Sequence, residues 1–196
     1  MSKLSPGFVV WITGLPASGK TSLAHAIHDL LATENIPSII LDANDLRQLL
    51  TPEPEYTDAE RRWFYQVLTG LALKFAGQGT NVLIAATGNR RLYREQARRQ
   101  CAIFAEVYLD CPLDVCLSRD PTGQYLNETN ADCLPGIGVA YEPSFAPEVI
   151  VNTAYKTPYE AARSVINVLK LERIIRGEPC HGDSQTLNTR QFTPTL

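Results

Sequence analysis

The chain has 196 residues, 44% of them hydrophobic, which suits one compact domain with a sizeable core. A net charge of -3 and a pI of about 5.6 exclude the basic stripe with which proteins grip nucleic-acid backbones, while leaving room for a local anion site. No N-terminal run reads as a signal peptide and no stretch approaches a membrane span; the cysteines (Cys101, Cys111, Cys116, Cys133, Cys180) form no C-x-x-C pair and read as reduced thiols of a cytoplasmic protein.

Phe8 to Thr13 is almost free of polarity and rich in β-branched and aromatic residues, the content of a strand buried on both faces. Gly14 follows, then four residues, then Gly19, Lys20 and Thr21: a complete G-x-x-x-x-G-K-[ST] phosphate-binding loop. A polyphosphate is held by convergent backbone N–H groups, and a tight turn through Gly14, Leu15, Pro16, Ala17, Ser18 and Gly19 presents several of them to one anion. Lys20, Thr21 and Ser22 open an amphipathic helix over Lys20–Thr33, whose N-terminal partial charge adds to the attraction. Lys20 is placed to reach the β- and γ-phosphates of ATP, and the Thr21 hydroxyl to ligate Mg²⁺. On the same helix Leu23, Ala26, Ile27, Leu30 and Leu31 face a core, and His25 and His28 read as partly solvated residues.

Pro37 breaks the chain, and Ser38 to Leu41 is a second apolar strand ending at Asp42. Carboxylates at the carboxyl ends of such strands sit beside the ligand crevice, so Asp42 and Asp45 are candidate site residues; helix capping by Asp42 or Asn44 is the plainer alternative. A short helix carries Arg47, a proline-stiffened loop follows, and a long helix runs from Asp58 to Phe75 with Phe64, Val67, Leu68, Leu71 and Phe75 inward. Arg61 and Arg62 near its start oppose the helix dipole, a sign that an anion belongs there. Asn81 to Ala86 is a third strand, leading to an arginine-rich helix on which Arg98 and Arg99 read as a solvated face. Phe104 to Asp110 is the fourth strand, Pro112 opens a helix through Arg119, Val149 to Asn152 is the fifth strand, and Tyr159 to Ile175 the last helix. The Gly- and Pro-rich stretch over about 120–147 reads as a lid, and 177–196 as a polar tail behind a single domain, 1–176. Alternating strands and helices with short links give a three-layer α/β P-loop kinase fold: a mostly parallel five-stranded sheet with helices on both faces.

Five separated segments stand in order between about Val9 and Thr153: VVWITGLPASGKTSLA, LDANDLR, YREQARR, YLDCPLDVCLSRDPTGQY and GIGVAYEPSFAPEVIVNT. Together they resemble the adenylylsulfate kinase family, whose members phosphorylate the 3′-hydroxyl of adenosine 5′-phosphosulfate with ATP. The resemblance implies that Lys20 and Thr21 hold MgATP and that Asp42 helps organise the metal and the acceptor hydroxyl. It further implies that Arg47 and Arg61 contact the adenylylsulfate, that Arg119 stabilises charge on the transferring phosphoryl group, and that the protein forms a homodimer. The family's second aspartate falls on Asn44, with Asp45 beside it, so either Asp42 or Asp45 takes the role of base. A family asparagine is Phe64 here, and the family's Ile-Ser-Pro falls on Thr87, Gly88 and Asn89; Asn44, Phe64 and Asn89 are therefore counted with the acceptor-binding candidates. Two other readings stay open at this point: a kinase of the same fold with another hydroxyl acceptor (a small metabolite, a nucleoside or a polynucleotide 5′-end), and a non-catalytic nucleotide-binding module.

Overall fold

The computed structural model describes residues 5–120, 123, 125, 132–171 and 174–175. The tail expected over 177–196 and the middle of the expected lid lie outside the described residues.

The first strand, β1 (Val9–Thr13), is buried at every residue. Successive strand side chains point to opposite faces, so Val10 and Ile12 join one apolar cluster and Val9 and Trp11 the other. The helix α1 (Lys20–Thr33) and the final α6 (Pro158–Leu171) cover the first face, burying Leu23, Ile27, Leu31, Val165 and Leu169. On the second face α3 (Asp58–Gly77) and α4 (Arg91–Gln100) bury Phe64, Leu68, Ala72, Tyr93 and Ala97. Full burial of each such large apolar side chain is worth about 1.5–3 kcal/mol, so the two clusters together hold the layers.

The remaining strands, β2 (Ser38–Asp42), β3 (Asn81–Ala85), β4 (Phe104–Asp110) and β5 (Val149–Asn152), complete a five-stranded sheet in the order β2-β3-β1-β4-β5. Every pairing is parallel, so the sheet expected to be mostly parallel is wholly so. The chain leaves β1 toward one edge and, after β3, crosses to the other side of β1. That reversal opens a crevice at the carboxyl end of β1. Two short helices, α2 (Ala43–Leu50) after β2 and α5 (Leu113–Arg119) after β4, border it.

Two elements differ from the expectation. The inward face of α3 runs through Phe64, Tyr65, Leu68, Thr69, Ala72 and Ala76, leaving Phe75 36% exposed at the rim. Small residues at Ala72 and Ala76 let the helix lie close on the strands, which rotates the bulkier Phe75 outward. The last helix stops at Leu171; Ile174 donates its backbone N–H to Leu169 O (3.0 Å) and turns back into the first cluster. No helix among the described residues is long and apolar enough to cross a membrane.

Candidate active site

The phosphate loop joins β1 to α1. Gly14 has φ 152°, and a Cβ there would stand 2.9 Å from Ser18 Oγ and 3.0 Å from Leu109 O; Gly19, at φ 98°, caps α1. Both positions need glycine for the loop to close. Lys20 folds its ammonium over the loop, donating to Leu15 O (2.7 Å) and Gly14 O (3.2 Å). Burial lowers its pKa from 10.5 to about 8, against the opposing pull of Cys116 and Asp42. Thr21 Oγ1 donates to Asp42 Oδ2 (2.6 Å), while Asp42 Oδ1 accepts the Asn44 N–H (2.7 Å). Asp42 therefore caps α2 with one oxygen and holds the Thr21 hydroxyl with the other, in a site where it is only 5% exposed. A hydroxyl and a carboxylate this close are hard oxygen donors of the kind Mg²⁺ takes while keeping waters and phosphate oxygens as its other ligands.

A cleft of about 400 Å³ runs from Pro16–Leu23 past Arg119 and Thr153 to Lys156 and Pro158. Its far wall is bolted to the loop: Thr153 Oγ1 donates to Ser18 O (2.9 Å), and Arg119 Nη2 donates to Thr153 O (2.8 Å). A second cavity of about 140 Å³ adjoins it, lined by Arg47, Tyr56, Arg61, Tyr65 and Cys133–Pro135. Pro16, Ala43, Asn44 and Thr87 border both spaces.

The two arginines of the second cavity differ in their partners. Arg47 pairs with Glu60 (2.9 Å) and lies over Phe64 (4.0 Å) and Tyr56 (5.0 Å). Arg61, 4% exposed, donates to Tyr56 O (2.9 Å) and Cys133 O (2.5 Å), so among the described residues its hydrogen-bond partners are carbonyls alone. A buried cation without a carboxylate favours an anion nearby. Tyr56, between them, has φ 54°, a costly conformation for a non-glycine residue of the kind that clusters at ligand sites.

The structure thus brings Lys20, Thr21, Asp42, Asn44, Arg47, Arg61 and Arg119 around two joined spaces. Three expected residues stand outside. Asp45 is exposed on α2 and lines neither cavity, because the first turn carries it away from the crevice. Phe64 is fully buried and touches the site through its ring contacts with Arg47 and Tyr65. Asn89 is 1% exposed and donates to Ala140 O (3.3 Å) rather than facing either space. Arg98 is only partly solvated: its Nη2 donates to Glu148 Oε2 (2.8 Å) and its guanidinium covers Phe104. Glu60, Tyr56, Tyr141 and Lys156 were not among the expected site residues, nor was Arg94, which the YREQARR segment carries and which is completely buried on α4. For Arg94 one signal existed: it lies three residues before the buried Ala97, on the inward face of the helix.

A parallel sheet in this order, with the loop, lysine and Thr21–Asp42 pair at its switch point, defines a P-loop kinase. Residues 6–152 match the family described as adenylylsulphate kinase. The adenylyl-sulfate kinase of Geotalea daltonii is 35% identical over 174 residues, covering 87% of this chain and 86% of that protein. That of Burkholderia ambifaria is 33% identical over 169 residues, covering 84% and 93%. The Mycobacterium tuberculosis APS kinase CysC, solved in complex with AMPPNP and APS, superposes with a TM-score of 0.78 at 30% identity, covering 84% of this chain and 98% of its own. The chain belongs to the adenylylsulfate kinase family.

Proposed function

We propose that this protein is an ATP-dependent adenylylsulfate kinase, transferring the γ-phosphoryl group of ATP to the 3′-hydroxyl of adenosine 5′-phosphosulfate. The observation that carries this reading is the pair of joined spaces. One begins at the phosphate loop and the other holds the uncompensated Arg61, with Asn44 and Thr87 at their junction.

Phosphoryl transfer asks a protein mainly for alignment and charge neutralisation. Lys20 leaves its two carbonyls to meet the phosphates, and Arg119 supplies the second cation on the cleft side. Thr21 and Asp42 would hold Mg²⁺, which supplies charge neutralisation on the phosphate oxygens when bound. Among the described residues no Asp or Glu lines either cavity, and Asp42, reached through Thr21, is the carboxylate that serves the junction in place of Asp45. Arg61 takes the acceptor's negative charge, and Arg47, neutralised by Glu60, contributes a flat hydrogen-bonding surface. Homodimerisation follows from the family resemblance, and a cytoplasmic setting from the cysteines, those described (Cys101, Cys111, Cys116 and Cys133) being unpaired.

The test is product identity. Protein incubated with MgATP and adenosine 5′-phosphosulfate should give ADP and a 3′-phosphorylated adenylylsulfate in equal amounts by ³¹P NMR; phosphate appearing on any other position, or no product, removes the reading.

A further inference from the structure

We propose that Arg94 is a positioning residue for phosphoryl transfer, acting through the Thr87–Asn89 turn, whose first residue borders both cavities; this rests on the kinase reading above. Thr87 borders both spaces, and the turn it belongs to is gripped from behind by one fully buried cation. Arg94 Nη1 donates to Gly88 O, Nη2 to Glu142 O (2.6 Å) and Nε to Glu106 Oε1 (2.6 Å), and its guanidinium lies 5.6 Å from the Tyr141 ring. One side chain therefore joins the turn after β3, the middle of β4 and the segment that leads into β5.

The other end of the turn belongs to the same assembly. Tyr141 Oη shares a hydrogen bond with Thr13 Oγ1 (3.0 Å), and Thr13 Oγ1 donates to Thr87 O (2.6 Å). Gly88 N donates to Tyr65 Oη (3.0 Å), and Tyr65 lines the second cavity. Glu142 N donates to Asn89 O (2.8 Å). A charge pair with Glu106 alone would need only a cation. Donors aimed at two further carbonyls use the planar fork of arginine, which lysine lacks. Arg98 is the internal control: it pairs with Glu148 and lies 3.7 Å from Glu106, within the same ion network, and does not touch the turn.

The experiment uses a Trp63→Phe background, in which Trp11 is the remaining tryptophan. Trp11 Nε1 donates to Ala86 O (3.0 Å), and its Cζ2 stands 3.0 Å from where a Gly88 Cβ would be, so its emission reports on the turn. Arg94→Lys should lower kcat by about 10–100-fold, the scale of a misplaced reacting geometry. Its KM for ATP should stay within about twofold of wild type, because a group that acts only on alignment leaves ground-state binding unchanged, and Trp11 emission should shift. Arg98→Lys should lower Tm while leaving kcat and emission unchanged. Tyr141→Phe removes one link of the assembly without disturbing a buried charge, and should show the same kcat and emission signature at smaller size if Arg94→Lys does not fold. Wild-type kcat and emission in Arg94→Lys, or in Tyr141→Phe where that variant replaces it, overturns the proposal, as does parallel loss of kcat in the Arg94 and Arg98 variants. A wild-type protein inactive with adenylylsulfate overturns the acceptor reading instead, and the emission arm still decides whether Arg94 holds the turn.

Discussion

Lys20 holds its ammonium against two carbonyl oxygens in a setting that strips water from it, and burial brings its pKa down to about 8. The unfolded chain keeps the proton up to the ordinary 10.5, so between about 8 and 10.5 the unfolded state binds more protons and this group's contribution to stability rises with pH. ATP reverses the balance, because phosphates favour the charged amine. Nucleotide binding above pH 8 should therefore take up a proton, and Kd should weaken by up to about tenfold per pH unit. Calorimetry in two buffers of different ionisation enthalpy would measure the uptake, and Lys20→Met should abolish it. Among the acids, Asp42→Asn should lower kcat by at least about 100-fold, in the range of lost acid–base and charge-organising roles. Exposed Asp45→Asn should stay within about twofold, a surface change away from the chemistry; equal losses from both would return Asp45 to the site. Lys20, Thr21 and Asp42 were legible in the sequence because the loop motif and a strand end fix their places over a few residues. Arg94, Glu106 and Tyr141 were not, since their roles arise from partners that only the fold brings together, such as Tyr141 beside Thr13.

Glu60 shows how one helix end can organise a neighbouring helix and the loop between them. The first turn of α3 is capped by Thr57 Oγ1, which accepts the Glu60 N–H (3.2 Å). The Glu60 carboxylate accepts the backbone N–H groups of Glu55 (2.7 Å) and Tyr56 (2.9 Å) and pairs with Arg47 on α2. It is a capping arrangement extended into a latch beside the second cavity. Glu60→Ala should raise the acceptor KM by about tenfold, in line with loss of a partly buried charge partner, with KM for ATP unchanged; steady-state kinetics with each substrate varied in turn would show it. An equal rise in both constants would place Glu60 in general stability. Element boundaries were read well where chemistry punctuates the chain, as at α1, which starts at Lys20 and ends at Thr33 as expected. The buried face of α3 was read less well: its long apolar run offers two candidate stripes, and close packing at Ala72 and Ala76 selects between them.

At the scale of the molecule, the cleft gathers groups from separate parts of the fold: the loop after β1, Asp42 at the end of β2 behind Thr21, Arg119 on α5 and the wall after β5. Binding should stabilise the whole fold. MgATP at 100 times its Kd adds about 2.7 kcal/mol, or about 5–10 °C in Tm for a domain of this size. Lys20→Ala should fold yet lose most of that shift in a thermal scan, since the loop backbone is intact and the charge is gone. A full shift in that variant would remove Lys20 from nucleotide binding. A mostly parallel sheet was legible because strands and helices alternate with short links, but the strand order that makes the switch point was not. Of the second cavity only Arg47 and Arg61 were named, through the resemblance; Tyr56 and Cys133 join them from separate parts of the chain, which only the fold shows. The measurement that bears most directly on the function is ADP release from MgATP with adenosine 5′-phosphosulfate, run beside a panel of small alcohols, nucleosides and 5′-hydroxyl oligonucleotides. Stimulation by adenylylsulfate, and by it far above every other acceptor, is the result predicted here; a stronger response to another acceptor, or none to any, would contradict it.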